Sequence, residues 1–442
     1  MRSAPRCGGR DVERVAVAVS TPYTRATAML DAVSWRGIKP GLERTRALLH
    51  VLGEPHIGLS GVLVAGTNGK GSVCAVIDSI TQAAGLRTVM LTKPHLRSYT
   101  ERIVIDGVRI TEEDFAALME EVNAAASTLP EDLQPTGFEM LTAAGLLRSA
   151  RAAPDVVVCE VGLGGRLDST NVLDLGVAIV TNVALDHREH LGDTVVAIAR
   201  EKAAVIKAGD DAVTAAGEPA LNVIRRHAHE VGAPLTVVTE DVPVNGRDGG
   251  LAGIDVDTEF AGLPIALHAP LVGWFQAANI ATAVTACDVL RRRGAAIDAG
   301  AVSRGCASTQ WPGRMQWVRG SPPILVDGAH NPAGMAAMVE AARAILAGRR
   351  IVVLFAAMRN KDVDAMIAEL RGLGAAETVV TSPAVERASD VADLARFFDA
   401  AHTEAIVSRG LSRARTLAGR DGAVVVTGSL YLAGEVLSLL ET

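Results

Sequence analysis

The residues best suited to chemistry stand in one short run, Gly66-Thr67-Asn68-Gly69-Lys70-Gly71-Ser72, in which glycines flank a single lysine. Glycines let backbone N–H groups close around phosphate oxygens, and the ammonium adds positive charge. A helix-like stretch follows at once, so its N-terminus, the positive end of its dipole, falls at the same place. The spacing departs from the strict phosphate-loop pattern: Val64 occupies the first glycine position, and Gly71 separates Lys70 from the hydroxyl of Ser72. A glycine turn joining strand to helix is the plainer alternative. Binding of a nucleoside triphosphate is the expectation carried forward.

Other candidates lie at the ends of apolar runs. Glu160 closes Val156-Val157-Val158-Cys159-Glu160 and is followed by Gly162, Gly164 and Gly165 and the polar run Arg166-Leu167-Asp168-Ser169-Thr170-Asn171. In open α/β sheets ligands bind outside the carboxyl ends of the strands, so an acid there is well placed. Asp186-His187 follows a second apolar run, and Glu201-Lys202 stands on a helical pattern. Each has a bland alternative: an acid paired with a neighbouring cation, a structural histidine, an ion pair on a solvated helix face.

The elements that must position these residues alternate between strand and helix. Strands are expected at 62–65, 88–92, 155–161 and 177–182, a hairpin around Asp106-Gly107, and helices at 73–84, 112–126, 138–152 and 195–205. Such alternation implies an α/β fold with a doubly wound parallel sheet. Beyond Lys207 the pattern weakens to possible strands at 213–216 and 235–238, a polar loop at 243–250 and a helix at 276–293. Alternation resumes with strands at 324–326, 351–355, 378–381, 405–407 and 423–427. The expected organisation is a flexible extension at 1–20, a nucleotide-binding domain at 21–299 and a second α/β domain at 300–442.

Composition excludes several classes. A formal charge of −7 argues against non-specific nucleic-acid binding, which needs a basic face. Cys7, Cys74, Cys159, Cys287 and Cys306 are odd in number and lack CxxC spacing, which suggests buried thiols in a reducing compartment rather than a disulfide or zinc framework. No apolar run reaches the ~18 residues of a membrane span, so a cytoplasmic monomer without a membrane partner is expected.

Taken together, the glycine-rich loop, Pro94-His95-Leu96 with Tyr99-Thr100-Glu101-Arg102-Ile103, the run 160–168, Asp186-His187, Glu201-Lys202-Ala203, Pro312-Gly313-Arg314 and Asp327-Gly328-Ala329-His330-Asn331-Pro332 resemble bacterial folylpolyglutamate synthase/dihydrofolate synthase. That family belongs to the Mur-ligase group, and the resemblance covers nearly the whole chain. It implies a Mur-ligase-like central domain followed by a smaller Rossmann-like domain. It also implies ATP and Mg²⁺ as cofactors, and an acid–amino-acid ligase that joins L-glutamate to dihydropteroate or folate through an acyl phosphate.

Carried over residue by residue, the resemblance implies catalytic roles for Lys70, His187 and Lys202. ATP would meet Thr67, Asn68, Gly69, Lys70, Gly71, Ser72, Asn279, Arg314 and Asp327. Ser72, Glu160 and His187 would hold the metal, and His95, Arg102, Arg166, Asp168, His330 and Ser429 would border the substrates. The lysine matching Lys202 is often carbamylated in the family, which turns its charge negative. Lys361-Asp362 and Tyr431 resemble the amino-acid side of the cleft. Lys93 stands where the family commonly has a serine, and it is expected to pair with Glu160 or to replace part of the metal charge. Phe275 likewise replaces a frequent histidine. These departures leave two other readings open: a related ligase acting on another acid, and a nucleotide-controlled switch.

Overall fold

The computed structural model describes residues 21–33, 37 and 39–441. The expected extension at 1–20, and Cys7 within it, lie outside the described residues.

The first sheet is built from β1 (Gly61–Ala65), β2 (Thr88–Leu91), β3 (Ile103–Ile105), β4 (Val108–Arg109), β5 (Val156–Glu160), β6 (Gly176–Val180), β7 (Asp211–Thr214) and β8 (Leu235–Val237). Their spatial order is β4-β3-β2-β5-β1-β6-β7-β8. The strands from β2 to β8 run parallel, whereas β3 and β4 form the antiparallel hairpin at the edge that the Asp106-Gly107 pair predicts. All five residues of β1, β5 and β6 are buried, as expected of strands covered on both faces. Alternate side chains of β1 go to opposite cores. Leu63 and Ala65 pack with the helices Glu112–Ser127 and Gly137–Ala152, and Val62 and Val64 pack with Lys70–Ala83 and Gln276–Arg292.

A small antiparallel sheet follows, made of β9 (Asn245–Asp248), β10 (Ile254–Phe260) and β11 (Leu263–Ala269). It corrects the polar loop expected at 243–250. Along β10 the residues Ile254, Val256, Thr258 and Phe260 are buried and alternate with Asp255, Asp257 and Glu259. That period of two is the signal for a half-buried strand. The next helix, Ala299–Ser308, sends Ala301, Val302 and Cys306 into the same core as Val62 and Val64, and its Gly305 carbonyl accepts from Ser79 Oγ at 2.7 Å. We therefore place the start of the second domain after this helix rather than near residue 300.

The second sheet comprises β12 (Gln316–Val318), β13 (Ile324–Val326), β14 (Ile351–Phe355), β15 (Glu377–Thr381), β16 (His402–Glu404) and β17 (Ala423–Thr427), in the order β12-β13-β17-β14-β15-β16. All pairs are parallel except β12 with β13. The strand expected at 405–407 lies three residues earlier, because Val407 begins the helix Val407–Ala418 and Ile406 is half exposed. Cys74, Cys159, Cys287 and Cys306 are all buried free thiols.

Candidate active site

The glycine-rich loop leaves the carboxyl end of β1 between β5 and β6, which is where the strand order reverses. Open α/β sheets bind ligands in that crevice. Gly69 caps the helix Lys70–Ala83 with φ of 82°, a left-handed conformation that disfavours any side chain. The loop is braced from β6: Asn68 N donates to Asn182 Oδ1 at 2.8 Å, and Thr181 Oγ1 donates to the Asn68 carbonyl at 2.7 Å. Thr67 Oγ1 bonds both the N–H and the carbonyl of Ala184. The cradle is thus held rigid by side chains that are not themselves glycine.

Two ammonium groups converge inside it. Lys70 Nζ donates to the carbonyls of Gly66 and Thr67 at 3.1 Å each, and Lys202 Nζ donates to the same Gly66 oxygen at 2.8 Å. Lys202 is buried, so the solvated Glu201–Lys202 pair does not form; Glu201 instead holds Arg166 at 2.9 Å. Burial, reinforced by the Lys70 charge, pulls the Lys202 ammonium down to about 7. A fraction of it is therefore the free amine at neutral pH.

Glu160 points in from the end of β5, with Oε1 at 4.0 Å from Lys70 Nζ and Oε2 accepting from the Lys93 N–H at 3.1 Å. Burial pushes its carboxyl up, and the Lys70 charge opposes this. The Lys93 side chain forms no direct ion pair with Glu160, although its charge acts on that carboxyl. Its ammonium lies 4.7 Å from the Phe138 ring centroid, a cation–π contact, and only its backbone meets Glu160.

Among the described residues no three His, Cys, Asp or Glu side chains gather into a metal cluster. The donors nevertheless suit a hard divalent ion held mainly by phosphate and water oxygens. Glu160 is a buried carboxylate, Ser72 is a buried hydroxyl at the start of the loop helix, and His187 Nδ1 is buried with no hydrogen-bond partner among the described residues. Burial, then Lys361, lowers His187 to about 4, so its imidazole is neutral as a ligand must be.

The second domain closes the cleft through Asp186. Its Oδ1 accepts from Lys361 Nζ at 2.7 Å and its Oδ2 accepts from Asn331 Nδ2 at 3.1 Å, with His187 Nε2 at 3.8 Å and His330 Nε2 at 4.0 Å. Lys361 is buried against Asp186 and does not form the surface pair with Asp362, which caps its own helix. Although burial pushes Asp186 up, Lys361 and the two histidines hold its carboxyl well below the usual range. Asn331 also exchanges bonds with Asn68, at 2.9 and 3.3 Å, so the phosphate loop itself touches the second domain. Sequence reasoning missed Asn331 as a site residue and gave Asp186 no role. Their presence in the runs Asp186-His187 and His330-Asn331-Pro332 was the available signal.

The remaining candidates divide. Asp327 is buried between the N–H groups of Met315 and Ala329, and burial raises its carboxyl against the pull of Arg314. His330 Nδ1 meets the Gly328 carbonyl at 2.9 Å, and burial with Lys361 lowers this histidine to about 3. Asn279 packs its amide against Gly69 and donates to Gln276 Oε1 at 2.8 Å. His95 and Arg102 meet at 2.9 Å beside Tyr99. Arg166 stands apart, with its side chain 57% exposed. The oxygens of Asp168 are taken by Leu163 N, Thr170 N and Thr170 Oγ1, and Ser429 Oγ caps the last helix at Tyr431 N. Asp168 and Ser429 thus hold the local loop and helix-end backbone in this structure.

Two α/β units meeting over a phosphate cradle are the arrangement of a Mur ligase. The Mur ligase middle domain matches residues 64–287 and the Mur ligase glutamate ligase domain matches residues 313–430. The Bacillus subtilis dihydrofolate synthase/folylpolyglutamate synthase is 33% identical over 430 residues, covering 94% of this chain and 100% of that protein. The chain belongs to the folylpolyglutamate synthase/dihydrofolate synthase family. Mycobacterium tuberculosis folylpolyglutamate synthase complexed with ADP and AMPPCP superposes with a TM-score of 0.88 at 30% identity, covering 95% of this chain and 98% of that one. A probable bifunctional folylpolyglutamate synthase/dihydropteroate synthase of Haloferax volcanii is 37% identical over 90% of this chain, but the chain spans only 48% of its length.

Removing the Asp186 charge leaves Lys361 buried without a counter-ion, so Asp186→Asn should lower the stability at neutral pH by about 3–5 kcal/mol. Because the folded carboxyl is depressed, the wild-type advantage is complete above the unfolded value of ~3.9 and is lost as pH falls below it. Urea denaturation of both proteins across the acid range measures the gap; an equal stability at neutral pH would show that the pair carries no net energy.

Proposed function

We propose that this chain is an ATP-dependent acid–amino-acid ligase that joins L-glutamate to dihydropteroate or folate through an acyl phosphate. The observation that carries it is the convergence of Lys70 and Lys202 on the Gly66 carbonyl, inside a cradle that the second domain touches through Asn331. The Lys70 ammonium, the loop N–H groups and the N-terminus of the helix Lys70–Ala83 present positive charge that suits a polyphosphate. The B. subtilis relative, matched over its full length, carries the corresponding name.

In the first step a carboxylate oxygen of the acid attacks the γ-phosphorus and the bond to ADP breaks. Lys70 holds the β and γ phosphates, and the Arg314 fork takes phosphate oxygens from the second domain. Magnesium, when bound, neutralises charge on those phosphates, and Ser72, Glu160 and His187 are the residues that would hold it. In the second step the glutamate amine attacks the acyl carbon, phosphate leaves, and the nitrogen gives up a proton. In this reading Lys361 and Asp186 would border the amino acid, and His95 and Arg102 would border the acid. Asn279 serves the adenine and Asp327 the ribose. We expect a cytoplasmic monomer acting on small molecules, with neither nucleic acid nor membrane as partner. No helix among the described residues is long and apolar enough to cross a membrane.

Phosphate release from ATP with Mg²⁺ should require both glutamate and one of the two acids, and Lys70→Met should slow it about 10²–10³-fold. Nucleotide binding without acid-dependent release would contradict the reading. We also propose that Lys202 is carbamylated, since its depressed basicity supplies the free amine that attacks CO₂. Intact mass in bicarbonate should show one added carboxyl on wild type and none on Lys202→Met; an identical mass shift in both would place the adduct elsewhere.

A further inference from the structure

The loop from Pro94 to Arg102, with Arg109 of β4 beside it, carries arginines whose charges are balanced unequally. Arg97 is paired with Glu441, and Arg109 lies 3.7 Å from Glu101. Arg102 has no such partner among the described residues. Its Nε donates to His95 Nδ1 at 2.9 Å and its guanidinium lies 5.3 Å from the Tyr99 ring centroid. The imidazole that accepts this bond is neutral, because burial and then Arg102 itself hold His95 to about 3. Arg102 is thus a largely enclosed cation whose direct contacts are an aromatic ring and a neutral base, while Glu160 acts on it without forming an ion pair.

The facing wall comes from the second domain. Gly434, in the helix Leu430–Glu441, lies so close to the loop that a Cβ there would sit 1.9 Å from the Leu96 carbonyl oxygen. Helix and loop therefore touch backbone to backbone. Tyr431 lies three residues before Gly434, on the same helical face. Its hydroxyl accepts from Arg387 Nη2 at 2.7 Å, and that guanidinium lies 5.8 Å from the ring centroid. Arg387 likewise forms no ion pair among the described residues. The burial that lowers Arg102 is reinforced by the nearby Arg387 charge. The partly buried Arg102 and the exposed Arg387 thus come near one another where the Leu96 loop meets the last helix.

Arg102 is linked through the backbone to Glu160. Thr92 N donates to the Arg102 carbonyl at 3.3 Å, and the next residue, Lys93, donates its N–H to Glu160. Chemistry then selects the occupant. When the acid is already glutamylated, its γ-carboxylate reacts and its α-carboxylate remains as a free anion a few bonds away. Dihydropteroate has no second carboxylate. We infer that Arg102 and Arg387, the latter steadied by Tyr431, bind the non-reacting α-carboxylate of a glutamylated acid and favour chain extension over first addition. Planar guanidinium forks suit a carboxylate of this kind.

This inference rests on the function proposed above, and the test separates the two. Steady-state kinetics of wild type and Arg387→Leu with dihydropteroate and with monoglutamyl tetrahydrofolate give the ratio of the two kcat/KM values. A lost charge-assisted contact should lower that ratio about 10- to 100-fold in the variant, through a higher KM for the glutamylated acid. Arg387→Lys should recover part of the loss, because a point charge replaces a fork. An unchanged ratio with an active wild type overturns the anion subsite alone. So does a rise confined to the KM of free L-glutamate, which would give the arginines to the amine substrate. A wild type that turns over neither acid overturns both proposals.

Discussion

One carbonyl oxygen, that of Gly66, accepts hydrogen bonds from the buried ammonium of Lys202 and the half-buried ammonium of Lys70. Like charges gathered in a poorly solvated place are unfavourable unless something negative joins them. Around Lys70 and Lys202 the fold has placed glycine N–H groups and a helix N-terminus, which add further positive potential, with Glu160 beside Lys70 and the charges of Asp186 and Asp168 acting on Lys202. The positive potential of the loop therefore suits an anion of several charges. Under the proposed function a nucleoside triphosphate with its metal would supply that charge, and the acid and amino acid would react where the charges meet.

The same imbalance explains how the two domains meet. Asp186 belongs to the first domain, yet its partners Lys361, Asn331 and His330 all come from the second. The buried Asp186–Lys361 pair neutralises one cation at the rim, while Asn331 reaches through to Asn68 in the phosphate loop. The loop and the second sheet are thus linked by hydrogen bonds that are sensitive to small shifts. Completing a site only when two domains close keeps water away from a reactive acyl phosphate.

Much of the fold was legible because the buried parallel strands are continuous apolar runs, and the acid at the end of one, Glu160, marked the cleft. The glycine loop was equally plain despite Val64 and Gly71, because strand, loop and helix followed in order. The antiparallel strands β9 to β11 were overlooked although Ile254-Asp255-Val256-Asp257 alternates cleanly; their flanking glycines and aspartates read as loop. Other features were beyond local pattern. Asp186 and Lys361 are 175 residues apart, and no periodicity connects them. Lys93 showed a comparable limit: its type suggested a partner for Glu160, but the Phe138 face captured the ammonium and left the backbone to meet the acid. Arg166 and Asp168 were singled out by residue type, and the structure spends them on a surface ion pair and a turn.

The acyl phosphate can be observed through its oxygen. An acid labelled with heavy oxygen in its reacting carboxylate, turned over with ATP and glutamate, should pass one labelled oxygen to the released phosphate, because the amine displaces phosphate at carbon. Mass spectrometry of the phosphate reads the transfer. Labelled phosphate appearing in step with amide product is the expected result. Unlabelled phosphate accompanying amide formation would contradict activation of the acid in this cleft.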